Sequence, residues 1–501
     1  MCWQHSSGLT LTVTAPEQRW AGNRAAVAEA VDVGHRGLQN TKGRAVTRRA
    51  AGAKAFPERP IPAGSRDYGL AEQESMTPKI HLERMMHRDV VKVAGESVAS
   101  YALIKLIPAG DFSSVPMRLN VALVLDVSGS MYEEDGTGLS RLQRVQEAAG
   151  RALQQLQPHD LISIVAFGHD ARVILPPTPL SERQRIEEHL LAVDQFNVDP
   201  GGTSMDQGMH LAVAELQKHH GEGVLSHLVI LTDGETSGES VCKQIAASLP
   251  QQKMHLTLMG IGTEWNANLV KELAKLSNGK WFYIEADKRE EAERIFVQEF
   301  AQLASTAFTE VEMHLRPVKD VRVKRCRLVV PEIRELPLRE VEERHLVADL
   351  GTLEKDKSTR YILDFSLPPR PDGDYVICQV EVTYKLGAVP GTTGPVPLKV
   401  RYSATQPSYV NAEVMKHIDE VQIYEMNANL QQAIQQNKVE EVKRLAEAIE
   451  RKATMLGPRA AKKTMLAKQA LQEIHAGGRV SKKTMLALED SMRLAEEMPT
   501  S

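Results

Sequence analysis

The sequence predicts an α/β fold: a doubly wound, mostly parallel sheet of Rossmann-like type, inserted in a small antiparallel β-sandwich and followed by an α-helical C-terminal region. Three observations carry this. Between 118 and 305, continuous apolar runs of strand length, such as Val121-Ala122-Leu123-Val124-Leu125, alternate with helical patterns. Strands buried on both faces between crossover helices read this way. After about 306 the apolar period becomes two, broken by Pro, Gly and Asp turns, as in a sandwich. From about 408 onward the period is helical, with Val442, Leu445 and Ile449 on one face.

The elements follow in order. Residues 1–75 carry short Ala/Gly/Arg-rich stretches and prolines at Pro57, Pro60 and Pro62. Such a segment buries too little apolar surface to offset its ordering entropy, and reads as a disordered or non-native extension. Met76 is then a candidate physiological start, a basic arm being the alternative. Residues 76–117 contain a run of strand formers at 97–108 that has no place in the α/β unit and is assigned to the sandwich. In the unit at 118–305, strands are expected at 121–125, 161–167, 171–175, 226–232, 255–261 and 281–285. Helices are expected at 142–156, 181–193, 204–218, 239–248, 266–276 and 288–305. The sandwich at 306–407 takes strands at 308–315, 321–330, 361–367, 375–384 and 397–402. The helical bundle at 408–501 repeats Lys-Lys-Thr-Met-Leu-Ala at 462–467 and 482–487, read as solvated faces.

The 501 residues carry 61 Lys+Arg against 65 Asp+Glu. No basic excess exists to neutralise phosphates, which excludes nucleic-acid binding by bulk charge. No apolar run is long enough for a membrane span. The four cysteines, Cys2, Cys242, Cys326 and Cys378, form neither a disulfide framework nor a zinc ribbon. With no secretory pattern at the N-terminus, a cytoplasmic location is expected.

Chemistry concentrates in three loops. The first buried strand ends in Asp126-Val127-Ser128-Gly129-Ser130, where extended residues alternate sides, so Asp126, Ser128 and Ser130 point together. A second loop presents Thr203 near a helix start, and a third ends another apolar strand at Asp233. Ligands bind a parallel sheet outside its carboxyl edge, where strand order reverses. Oxygen donors of this mix favour Mg²⁺, with Mn²⁺ or Ca²⁺ as alternatives, over zinc. Only two carboxylates leave such an ion undercharged and open to another.

Asp126-x-Ser128-x-Ser130, Thr203 and Asp233 resemble the metal-ion-dependent adhesion site of von Willebrand factor type A domains, over about 118–305. The resemblance implies Ser128, Ser130 and Thr203 as direct ligands, with Asp126 and Asp233 acting directly or through water. The wider layout is similar to intracellular bacterial proteins labelled after inter-alpha-trypsin inhibitor heavy chains or calcium-activated chloride channel regulators. Channel activity is not implied, since no membrane segment is present.

A non-enzymatic, metal-dependent protein-binding module is the expected function, with a partner presenting Asp or Glu to the cation. The alternatives are a metal-assisted phosphohydrolase using Asp126, or a secreted adhesin. Catalysis on Asp126 would want a second carboxylate two residues on, where Ser128 stands. The acidic stretch Glu133-Glu134-Asp135 reads either as a solvated loop or as an internal carboxylate screening the open metal position. His219-His220 reads as a solvated helix end.

Overall fold

The computed structural model describes residues 77–493, apart from 94, 113–116, 135–137, 234–235, 263–265, 285–288, 437, 456–460 and 478–479. The readings made of 1–75, Met76 and Cys2 lie outside the described residues.

In chain order, β1 (Lys79–Met86), β2 (Val90–Lys92) and β3 (Val98–Ala109) come first. The α/β unit follows: β4 (Arg118–Asp126), α1 (Arg141–Ala152), β5 (Leu161–Phe167), β6 (Ala171–Pro179), α2 (Arg183–Leu191), α3 (Met205–Gln217), β7 (Val224–Thr232), α4 (Glu239–Ser248), β8 (Met254–Ile261), α5 (Ala267–Leu276), β9 (Lys280–Ile284) and α6 (Arg289–Ala304). Next stand β10 (Thr306–Pro317), β11 (Arg322–Val330), β12 (Arg334–Leu336), β13 (Leu338–Glu342), β14 (His345–Glu354), β15 (Thr359–Leu367), β16 (Gly373–Leu386), β17 (Val389–Thr392) and β18 (Val396–Ser403). Four helices end the described residues: α7 (Ala412–Gln435), α8 (Val439–Met455), α9 (Ala461–Gly477) and α10 (Lys482–Arg493).

The α/β sheet has the order β6-β5-β4-β7-β8-β9, parallel except for β6, which returns antiparallel beside β5. The chain winds one way from β4 to β6 and the other way from β7 to β9, so strand order reverses between β4 and β7. Crossovers leave in opposite directions there, the place where sheets of this kind have their crevice, at the carboxyl ends. β5 is buried along its whole length, as expected of a strand covered on both faces. One face packs on α1, α2 and α6, the other on α3, α4 and α5. Ser140 caps α1 in a reciprocal pair with Gln143. The segment expected as one helix at 181–193 is interrupted: α2 ends at Leu191 and a separate 3₁₀ turn covers Val193–Gln195.

Two sheets form the sandwich, antiparallel throughout except that β2 runs parallel to β18. One has the order β1-β3-β15-β11-β12, the other β13-β14-β10-β16-β18-β2, with β17 on β16. β3 is thus central, pairing with β1 on one side and with β15 on the other. Segments before and after the α/β unit close one core, which includes Ile104, Phe308, Phe365 and Val382. Strands β12 to β14 were not expected from the sequence. The outer face of β3, β11 and β15 is covered by α7, through Val414, Ile418 and Val421. The remaining helices share a separate core, and Leu486 of α10 reaches the core of the α/β unit. Lys271 of α5 pairs with Glu489 of α10.

The sandwich meets the α/β unit at the amino edge of its sheet. Leu225, His227 and His255, at the starts of β7 and β8, line a seam with Arg334, Leu350 and Tyr361. The carboxyl edge, with the crevice, lies at the other end of these strands. Among the described residues, no helix is long and apolar enough to cross a membrane.

Candidate metal centre

β4 delivers Asp126 to the crevice at its last residue. The side chain is fully buried and both oxygens are engaged. Oδ1 accepts from the Ser128 amide at 2.9 Å and Oδ2 from the Thr232 hydroxyl at 2.6 Å. Thr232 is the last residue of β7, so this bond joins the two strands that flank the reversal. Burial pushes the Asp126 carboxyl up to about 6, with the Asp233 charge adding to it and hydrogen bonds from Ser128 and Thr232 opposing.

The turn after β4 folds the serines back toward Asp233. Ser128 Oγ and Ser130 Oγ lie 3.3 Å apart, and Ser130 Oγ donates to Asp233 Oδ1 at 2.7 Å. Asp126, Ser128, Ser130 and Asp233 therefore form one linked cluster, with both carboxylates almost wholly buried. Two buried carboxylates side by side call for positive charge. The protein itself supplies Arg141, whose Nη1 donates to Asp233 Oδ2 at 2.5 Å. Among the described residues this sets one guanidinium against two carboxylates and leaves the cluster short of cation. Hard oxygen donors, two buried carboxylates and this deficit fit a divalent ion of the Mg²⁺ type.

The second loop is tied to the first at the backbone. Gly129 N donates to Pro200 O at 3.1 Å. Its own shape depends on contact with the end of β5: His169 N donates to Asp199 O and Ser204 N to Gly168 O, both at 2.6 Å. Gly168 permits this, because a Cβ there would stand 2.2 Å from the Asp199 carbonyl oxygen. The third loop holds the second through Thr236, whose hydroxyl donates to Thr203 O at 2.9 Å. Thr203 is thus fixed by its backbone and half-buried. Among the described residues, no hydrogen bond joins its side chain to Asp126, Ser128, Ser130 or Asp233. The structure brings four of the five predicted residues into direct contact and holds the fifth in the adjoining loop.

Arg141 was missed by the sequence reading, as was Thr232. Of the acidic loop, Glu133 Oε2 lies 3.3 Å from Arg141 Nη2 and Glu134 forms an isolated bridge with Ser140. Asp135 lies outside the described residues. Among the described residues no group of three or more His, Cys, Asp or Glu is placed to hold a metal. A centre built from hydroxyls and only two carboxylates does not call for one.

Residues 121–235 match the family model of the von Willebrand factor type A domain. An uncharacterized protein of Synechocystis sp. is 29% identical over 313 residues, 60% of this chain and 70% of that protein. An inter-alpha-trypsin inhibitor heavy chain H2 of Mesocricetus auratus is 27% identical over 173 residues, 33% of this chain and 18% of that protein. Among solved structures, a von Willebrand factor type A protein from Catenulispora acidiphila superposes with a TM-score of 0.71 at 15% identity, covering 85% of this chain and 98% of its own. That likeness bears on the fold. The match to the heavy chain takes in under a fifth of that protein.

Proposed function

From a chain that carries a von Willebrand factor type A domain, a domain class that often mediates protein–protein interaction, we propose a metal-dependent interaction module. A divalent cation, Mg²⁺ by preference, is held by Ser128, Ser130 and Thr203, with Asp126 and Asp233 acting directly or through water. The cation presents an open position to an Asp or Glu of a partner protein. The observation that carries this reading is the linked cluster of Asp126, Ser128, Ser130 and Asp233 at the strand-order reversal. Among the described residues Cys242, Cys326 and Cys378 are buried and unpaired, which supports a reducing compartment such as the cytoplasm. A phosphohydrolase using Asp126 is disfavoured, because that carboxylate is fully buried and both its oxygens accept hydrogen bonds.

The test is isothermal titration of the full chain with Mg²⁺ and Mn²⁺. Asp126→Ala and Asp233→Ala each remove a carboxylate, and affinity is expected to fall at least tenfold while the melting transition survives. Capture of a partner should then require metal and be lost with EDTA. Unchanged affinity in both variants would mean that the cation binds elsewhere.

A further inference from the structure

Arg141 is the first residue of α1, directly after its Ser140 cap. A helix N-terminus carries partial positive charge, so a cation in the first turn is opposed there. The first turn of α1 holds no acidic residue that would offset this. Helix stability therefore does not account for an arginine at this place. What the side chain does instead is visible in its contacts. Nη1 donates to Asp233 Oδ2 at 2.5 Å and to Ser130 O at 3.4 Å, while Nη2 lies 3.3 Å from Glu133 Oε2. The guanidinium is mostly covered, with 14% of its side chain exposed, whereas Glu133 is open to solvent at 62%.

Both oxygens of Asp233 are thereby engaged within the chain: Oδ1 by the Ser130 hydroxyl and Oδ2 by Arg141. Each oxygen keeps a further lone pair, but a divalent ion approaching Oδ2 meets the charge and bulk of the guanidinium already seated there. Ser130 belongs to the same candidate ligand set, so its bond can be reshaped without being given up. The competitor is Arg141. Glu133 gives the guanidinium a second anion to hold when it lets go of Asp233.

We infer that Arg141 is a tethered counter-ion of the metal centre, which neutralises Asp233 in the metal-free protein and yields it to the divalent ion by shifting its grip toward Glu133. The inference rests on the reading of this cluster as a metal centre. It assigns Arg141 as the residue that sets metal affinity, and it gives Glu133 a role as the exchange partner for Arg141 instead of as a screen over the metal.

The test uses the full chain and two readouts, titration with Mg²⁺ or Mn²⁺ and thermal melting with and without the ion. Arg141→Met is expected to bind Mg²⁺ at least tenfold more tightly than wild type. Its metal-free form should melt lower, and saturating Mg²⁺ should raise its melting temperature by more than it raises that of wild type. Arg141→Lys should fall between the two, because an ammonium cannot grip Asp233 and Glu133 together as a planar fork does. It also carries the test should Arg141→Met fail to fold. Arg151→Met, in the same helix but paired with Glu293, should match wild type. The tightening in Arg141→Met should persist at about 1 M salt, where the screening length is about 3 Å and a distant field is lost.

Glu133→Gln should weaken metal binding in the wild-type background and have a smaller effect in Arg141→Met, a coupling that a merely structural arginine would not show. If wild type binds metal and Arg141→Met binds no more tightly, the counter-ion role is overturned and the metal centre stands. If neither wild type nor any Arg141 variant binds metal, both fall together.

Discussion

Single residues decide whether the three loops meet. Gly168 is the sharpest case, since any side chain there collides with the carbonyl oxygen of Asp199. Gly168→Ala should cost about 1–3 kcal/mol of stability, as overpacking does. Because the loop it displaces carries Thr203, Mg²⁺ affinity should fall more than the loss of stability alone explains. Chemical denaturation and titration on the same preparation separate the two. Asp126, Ser128 and Ser130 were legible because they sit two residues apart at the end of an unmistakable apolar strand. Arg141 was not legible for a physical reason. Its ion pair with Asp233 spans 92 residues of sequence, and nothing local marks an arginine after a helix cap as a neighbour of this cluster. Thr232 was hidden similarly, since its hydroxyl looks like any strand threonine until β7 is laid beside β4.

At the scale of elements, legibility follows burial. β4, β5 and β7 are covered on both faces and spell themselves out as apolar runs. β13 is an edge strand with Arg339, Glu340 and Glu342 exposed, so alternation never emerges in its sequence. β14 mixes buried and half-buried positions without strict period two, because β10 beside it carries register shifts. β3 lies between these extremes and governs the sandwich, since it is held on both sides by β1 and β15. Ile104, with no exposed surface, anchors it in the sandwich core. Ile104→Ala should destabilise by about 2–5 kcal/mol, the range for emptying a buried aliphatic site. Denaturant unfolding checks the loss. Metal affinity measured below the transition should stay at the wild-type value, because the crevice is at the far edge of another sheet.

For the whole molecule, the seam between sandwich and α/β unit is where acid should act. His227 and His255 stack there with ring centres 6.0 Å apart. Burial holds His227 well below its ordinary value, with the charges of His255 and Lys280 adding. Burial likewise holds His255 down to about 4, Lys280 and Arg334 adding and Asp349 opposing. Both imidazoles are therefore neutral in the folded protein at pH values where the unfolded chain has begun to protonate its own. Between the ordinary value near 6.5 and about 4 the unfolded state binds more protons. The stabilisation is complete above that window and is lost as pH falls through it. His255→Gln should flatten the slope of stability against pH across the window, so that the variant gains stability relative to wild type as pH falls from 8 to 5. Denaturant midpoints at a series of pH values test this.

The pairing of β3 with β15 has a consequence for synthesis. β3 leaves the ribosome early, yet the strand beside it on one flank is made only after the entire α/β unit. Every strand of that unit finds its neighbours within the unit itself, so it can complete its sheet while the sandwich is still half-translated. Until β15 arrives, β3 exposes one unpaired edge carrying Leu103 and Ile104, the kind of edge that invites aggregation. A folded insert also replaces a long floppy loop between the two strands, which lowers the entropy of bringing them together. Pulsed hydrogen exchange during refolding should show amides of β4, β5 and β7 protected before those of β3 and β15. The opposite order would mean that the sandwich nucleates first.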